Sequence, residues 1–357
     1  MKRLGGLWGD LVAFDNLWLA WRKARRGKGG RAPVHHFALD LEGQLLRLQT
    51  ELEAGTYRPG AYRQFTVYER KPRVISAAPF RDRVVHHAVM NRIEAPLDRR
   101  FIPDCYACRV GKGTHAAVDR YQQWARRWPY VLKLDVRRYF PSIDHSLLKE
   151  ELRRHLKDPR VLELLDAIID GSPPSGEHGL VYLPGDDLFT PVERRTGIPI
   201  GNLTSQFFAN LYLNRFDHWV KETLGARCYL RYVDDLVLLS DDKRRLADWR
   251  LAIADYVERE LRLRLHPDKG QIMPTAVGIN LLGYQVWPWR RRLANQNGYR
   301  FRRRLRGQLA RYHAGRVDRD SVIASIQAWL GHAAHADTRG LRRVLLSGLH
   351  FTQGSGQ

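Results

Sequence analysis

Cysteine is scarce, with Cys105, Cys108 and Cys228 the only three in 357 residues. That is too few for a disulfide framework. Cys105 and Cys108 form one C-x-x-C, and the second pair that a zinc ribbon requires is lacking. Free thiols fit a reducing compartment, so a cytoplasmic protein is expected. No apolar run reaches the roughly 20 residues that cross a bilayer, and the first residues lack a signal-peptide layout. No membrane partner is expected. Acidic residues are also in short supply. There are 38 Asp and Glu against 60 Lys and Arg, a formal net charge of +22. A fold does not need that excess, whereas a polyanionic partner explains it.

The positive charge is clustered. Residues 21–31 hold six lysines and arginines and no acid, among them Arg25, Arg26 and Lys28. Residues 290–316 hold ten arginines and no acid, including Arg302, Arg303 and Arg304. Trp287, Trp289, Tyr299, Phe301 and Tyr312 interleave with the second run, a mixture suited to stacking on nucleic acid. A third basic stretch, Arg109-Val110-Gly111-Lys112-Gly113-Thr114-His115, precedes a helix for which Thr114 is the expected cap. Its glycine spacing is not that of a P-loop. It reads either as a backbone-phosphate contact through Arg109 and Lys112 or as a plain loop.

Three carboxylates stand in matching contexts. Leu230 to Ser240 reads as strand, tight turn, strand, with Asp234 and Asp235 at the turn. Tyr130 to Phe140 begins as another apolar strand that ends in Asp135. An Asp-Asp pair alone is ordinary turn chemistry. A third carboxylate converging on it would create repulsion that a divalent cation relieves, and all-oxygen ligands favour magnesium. Two such ions, about 3.5–4 Å apart, drive in-line phosphoryl displacement.

The remaining pattern is mixed α and β. Helices are predicted over residues 8–26, 37–54, 79–97, from Thr114, from a cap within Ser142–Asp144 to about His155, and near 161–170, 204–224 and 241–261. Basic helices are predicted near 300–313, 318–330 and 338–349. Residues 64–70 and 73–77 read as a basic hairpin with Lys71-Pro72-Arg73 at its tip. Strands are expected at 271–273 and 279–287, and residues 171–185 read as an exposed loop rich in Gly and Pro.

The ordered motifs resemble those of the reverse transcriptases over nearly the whole chain. Asp135 matches the first palm aspartate, and Asp234 and Asp235 match the Tyr-x-Asp-Asp pair. The resemblance implies an α+β right-hand polymerase. Its parts would be a basic helical extension (1–34), fingers with part of the palm (35–129), a palm (130–287) with a fingers insertion at about 145–196, and a short basic helical thumb (288–357). It implies RNA-directed DNA synthesis with two magnesium ions, held by Asp135, Asp234 and the Val136 carbonyl, with Asp235 in support. Lys71 and Arg73 match the fingers motif that holds the incoming dNTP. Phe140 falls where a ring would exclude a 2′-hydroxyl, the alternative being core packing. Ile200, Gly201 and Gln206 fall on the motif beneath the nascent base pair. Lys269 matches a lysine proposed to protonate pyrophosphate, the alternative being a solvated turn lysine. Leu282, Gly283 and Tyr284 match the primer grip, and the partners implied are template RNA, a cDNA primer and dNTPs.

A subgroup is also legible. Retroviral and group II intron enzymes usually carry Gln-Gly followed by Ser-Pro. This chain has Ile200-Gly201 followed by Ser205-Gln206. That departure, with Tyr106–His115, is similar to the enzymes of diversity-generating retroelements, bacterial or phage-encoded. These make mutagenic cDNA from a template-repeat RNA with a small basic oligomeric accessory protein. A retron or abortive-infection polymerase, or a catalytically idle RNA-binding protein on the same scaffold, remains the alternative.

Overall fold

The computed structural model describes residues 2–68, 72–173 and 182–347. Four helices lead the chain: α1 (Trp8–Val12), α2 (Phe14–Arg25), α3 (Ala32–Leu39) and α4 (Leu41–Glu53). The helix expected over 8–26 breaks at Ala13, whose ψ of 138° is extended. The hairpin β1 (Arg63–Tyr68) and β2 (Pro72–Ala77) follows, with Val67 opposite Arg73. Pro72 therefore lies in a strand and not at the tip. Helix α5 (Phe80–Asp98) starts after Pro79 as predicted and packs along α2. Its residues Val84, Val85, Ala88, Val89 and Ile93 are all fully buried. Full burial of an aliphatic side chain stabilises by roughly 1.5–3 kcal/mol, which is what fixes this helix among the N-terminal helices.

Helix α6 (Thr114–Ala125) begins at Thr114, but Thr114 does not cap it. Gly113 holds the cap position at φ +107°, and the Thr114 hydroxyl bonds the Tyr232 hydroxyl at 3.1 Å instead. Next come β3 (Tyr130–Asp135), the short α7 (Tyr139–Ser142), α8 (His145–His155), α9 (Pro159–Asp170), α10 (Thr190–Glu193), α11 (Leu203–Tyr212), α12 (Asn214–His218), β4 (Tyr229–Tyr232), β5 (Asp235–Ser240), α13 (Lys243–Arg259) and β6 (Ile272–Pro274). Asp144 caps α8 by accepting from the Ser146 and Leu147 amides. The helix expected over 204–224 is interrupted. Leu213 leaves helical geometry, and the last turn, Trp219–Thr223, is a π-helix that stacks Trp219 on Tyr256.

Strands β4-β5-β3-β6 form one antiparallel sheet, with Asp135 directly opposite Asp235. Both faces of this sheet are buried. Leu132, Leu134, Leu236 and Leu238 point into a core shared with the N-terminal helices and α5. Val131, Leu230, Val237 and Leu239 point into a second core with α6 and the C-terminal segments. Burial on two sides explains why these strands read as continuous apolar runs.

The strand expected over 279–287 is a hairpin, β7 (Ile279–Leu281) and β8 (Tyr284–Val286), extended by an unforeseen β9 (Arg291–Leu293). Its turn uses Leu282 at φ +47° and Gly283 at φ +92°. Helices α14 (Asn295–His313), α15 (Arg319–Ala333) and α16 (Arg339–Leu346) complete the described chain. The second core joins the hairpin to α14 and α15 across the expected palm–thumb boundary at 287/288. Phe301 stacks on Trp329 within it, centroids 4.1 Å apart. Among the described residues no helix is long and apolar enough to cross a membrane.

Candidate active site

Sheet register makes the site. Antiparallel pairing of β3 with β5 places the last residue of one opposite the first residue of the other, so Asp135 and Asp235 face each other. The tight turn between β4 and β5 adds Asp234 at the same sheet end, and the Val136 amide donates to the Asp234 carbonyl at 3.2 Å. The three expected carboxylates are thus brought together. Burial, then the charges of Asp235 and Asp135, push the Asp234 carboxyl up to about 6. Lys269 pulls the other way, more weakly.

Two ammonium groups face the other carboxylates. Lys269 Nζ lies 2.5 Å from Asp135 Oδ2, and Lys133 Nζ lies 2.9 Å from Asp235 Oδ1. Lys269 comes from a turn seated behind β3. The His266 amide donates to the Asp135 carbonyl, and the Lys269 amide donates to the His266 carbonyl. Lys133 was not anticipated. Its signal was available, because residues two apart on a strand share a face. A lysine two before the aspartate in an otherwise apolar strand therefore points where the aspartate points.

The donor set fits hard divalent cations. It offers carboxylate oxygens and no sulfur or imidazole. Asp234 is half-buried, and the repulsion raising its pKa is what a cation would relieve. Among the described residues no group of three or more His, Cys, Asp or Glu side chains is arranged to hold a metal ion. The ligands would be Asp135 and Asp234, completed by the Val136 carbonyl, with Asp235 turned toward Lys133.

The β1–β2 hairpin is fastened to the segment that carries Ile200 and Gly201. The Ser76 amide donates to the Ile200 carbonyl at 3.2 Å. Gly201 sits at φ +111° with the Ile75 side chain 3.0 Å from where a Cβ would stand, so only glycine fits. Asn202, another residue not singled out from sequence, donates to the Ser76 carbonyl and accepts from the Ala78 amide. Gln206 is exposed on the first turns of α11, and Arg73 is exposed on β2. Lys71 lies outside the described residues. Phe140 is half-buried, edge-on to Tyr139, and its carbonyl accepts from the Ile198 amide.

Two groups of expected contacts are placed differently. The Arg109 guanidinium is buried, bridging Asp98 and the carbonyls of Asp98, Ile102 and Cys105. The geometry assigns it to holding its loop and not to RNA. Lys112 donates to the Pro103 carbonyl at 2.8 Å. Tyr284, expected in the primer grip, is fully buried with its hydroxyl on His332, and Leu282 and Gly283 form the turn before it. Arg25, Arg26, Arg302, Arg303 and Arg304 are exposed, and Lys28 is half-buried.

Residues 64–286 match the family model described as reverse transcriptase (RNA-dependent DNA polymerase). The chain is similar to protein YkfC of Escherichia coli, at 26% identity over 70% of this chain and 72% of that protein. It is similar to the group II intron-encoded protein LtrA of Lactococcus lactis, at 21% identity over 50% of this chain but 28% of LtrA. Superposed on telomerase from Candida albicans, solved with a fragment of telomeric RNA, it gives a TM-score of 0.47 at 11% identity, covering 82% of this chain and 56% of that one.

Proposed function

The chain belongs to the reverse transcriptase family and is an RNA-directed DNA polymerase, and from that premise we propose that Asp135 and Asp234 form its nucleotidyl-transfer centre. The observation that carries this is the convergence of three carboxylates at one sheet end, with Asp234 raised by its neighbours. A pair of magnesium ions bound there would lower the pKa of the primer 3′-hydroxyl and neutralise the triphosphate. Asp135 and Asp234 hold the reacting groups, and Lys133 keeps Asp235 beside them. Arg73 and Lys71 stabilise charge on the phosphates. Lys269, already against Asp135, would supply the proton to the leaving pyrophosphate. Phe140 closes the space a ribose 2′-hydroxyl needs, and Phe140→Ala should admit ribonucleotides. Primer extension on an RNA template is the test of the centre. Retained synthesis in Asp135→Asn or Asp234→Asn overturns it.

The finer reading is mutagenic cDNA synthesis from a template-repeat RNA in a diversity-generating retroelement, with a small basic oligomeric accessory protein. Its support is the palm sequence Ile200-Gly201 followed by Ser205-Gln206. The Ile200 main chain is pinned by Ser76, and its apolar side chain offers no directional contact. A glutamine there would hydrogen-bond near the nucleotide. A correct and a displaced pair then differ less in energy. Sequencing cDNA made in vitro reads the errors, which this reading places mostly opposite template adenine. A spectrum even across the four bases favours a retron-like enzyme.

A further inference from the structure

Val233, between Tyr232 and Asp234, has φ +57°. A β-branched residue rarely adopts that left-handed conformation, and it persists only where the surroundings impose it. Directly before this turn lies Arg231, a fully buried arginine on β4. All of its guanidinium N–H groups find acceptors. Nε donates to both Asp217 oxygens at 2.8 and 2.9 Å. Nη2 donates to Asp217 Oδ2 at 2.7 Å and to the Asn210 carbonyl at 3.1 Å. Nη1 donates to Asn210 Oδ1 and to the Val233 carbonyl, each at 3.1 Å.

The anchor is itself held. Tyr229 donates its hydroxyl to Asp217 at 2.7 Å, and Asn210 donates to the Ala107 carbonyl at 2.7 Å. The Arg231 amide donates to the Asp104 carbonyl, and its carbonyl accepts from the Tyr106 amide, each at 3.0 Å. The guanidinium is thus fixed from three directions, and one of its N–H groups reaches the strained turn. Buried ion pairs are weak evidence for stability, because well-packed apolar groups of similar volume often serve as well. What an apolar pair cannot do is hold a carbonyl.

We propose that Arg231 is a positioning residue: anchored on Asp217, it grips the Val233 carbonyl and so fixes the left-handed turn that aims Asp234. The inference rests on the reading of Asp234 as a catalytic carboxylate. The two can fail separately. If Asp234→Asn retains synthesis, that reading fails whatever Arg231 does.

The test uses the full chain in two backgrounds, native and Val233→Gly, because glycine adopts φ +57° without strain. Into each goes the paired change Arg231→Met with Asp217→Leu, which leaves no lone buried charge. Thermal melting, kcat and KM for dNTP in primer extension, and calorimetric titration with Mg²⁺ are measured. In the native background the pair should melt cooperatively, lose about a hundredfold in kcat, as misplacement of a reacting group by about 1 Å can cost, and bind Mg²⁺ more weakly, with KM within about threefold. In the Val233→Gly background the same pair should cost less than about tenfold in kcat. An equal loss of kcat in both backgrounds overturns the proposal, as does unchanged kcat and Mg²⁺ affinity. Should the paired change fail to fold in the native background, Arg231→Lys, which keeps a charge on Asp217 but lacks the planar fork, is compared across the two backgrounds instead. Failure of both to fold in either background also overturns it, because the pair would then serve the fold and not the turn.

Discussion

In the palm, Arg231 and Asp217 lie at zero exposure, and the guanidinium is fully hydrogen-bonded. On α14, near the C-terminal end of the described chain, Arg302, Arg303 and Arg304 stand exposed, and among the described residues none pairs with a carboxylate. Beneath the Asp234 turn the buried charges are each fixed by partners, because a buried charge without partners costs several kcal/mol. The exposed arginines of α14 face little geometric demand, because exposed cations act on a polyanion through density and counterion release. Geometry should therefore govern one region and salt the other.

The largest effect expected is on catalysis. Asp234→Asn should reduce primer extension on RNA by at least about 10³-fold, some 4 kcal/mol of barrier, while RNA affinity changes less than about twofold. An equal loss of RNA binding would break the division between the two regions.

The same substitution should stabilise the metal-free protein. The folded pKa of Asp234 is about 6, above its ordinary 3.8. Between those values the folded state holds a proton that the unfolded state releases, so stability is lost as pH rises from about 4 to about 6 and stays lost above. Asp234→Asn should therefore raise Tm at pH 7.5, by on the order of 3 kcal/mol in stability, and have little effect near pH 4. Saturating Mg²⁺ should shrink the gain, because a cation favours the charged carboxylate. Melting curves across this range that show no pH dependence in the difference would remove the electrostatic account of the site.

The α14 arginines are tested by salt. Converting Arg302, Arg303 and Arg304 to Gln should lessen the slope of log affinity against log salt by about 0.7–0.9 for each RNA phosphate that is no longer neutralised. Titrations from 50 to 200 mM salt would read it. An unchanged slope would assign this charge to a protein partner.

The smallest effect sharpens the contrast. Ile200→Gln changes no charge, so the salt slope should stay fixed. Misincorporation opposite template adenine should fall by about tenfold, the equivalent of about 1.4 kcal/mol of discrimination. An unchanged error spectrum with normal extension would place the source of errors in the template RNA or a partner.

The sequence alone marks the strand-borne carboxylates, because apolar runs and turn residues are local signals: Asp135 ends one apolar strand, Asp234 stands in a tight turn and Asp235 opens the next strand. It also determined the basic runs and most helices, whose periodicity and caps are local signals, as with Asp144 before α8. Tertiary structure alone decided the rest. The expected helix over 204–224 broke where Leu213 became fully buried, and the expected strand over 279–287 folded back at Leu282–Gly283. Arg109 looked like a free cation until Asp98, eleven residues upstream, closed on it. Nothing local marks Arg231, which Asp217 and Asn210 enclose beneath the turn. The physical reason is the same in each case. Periodicity and turn chemistry act between residues a few positions apart, whereas the partner of a buried charge is set by which elements pack together.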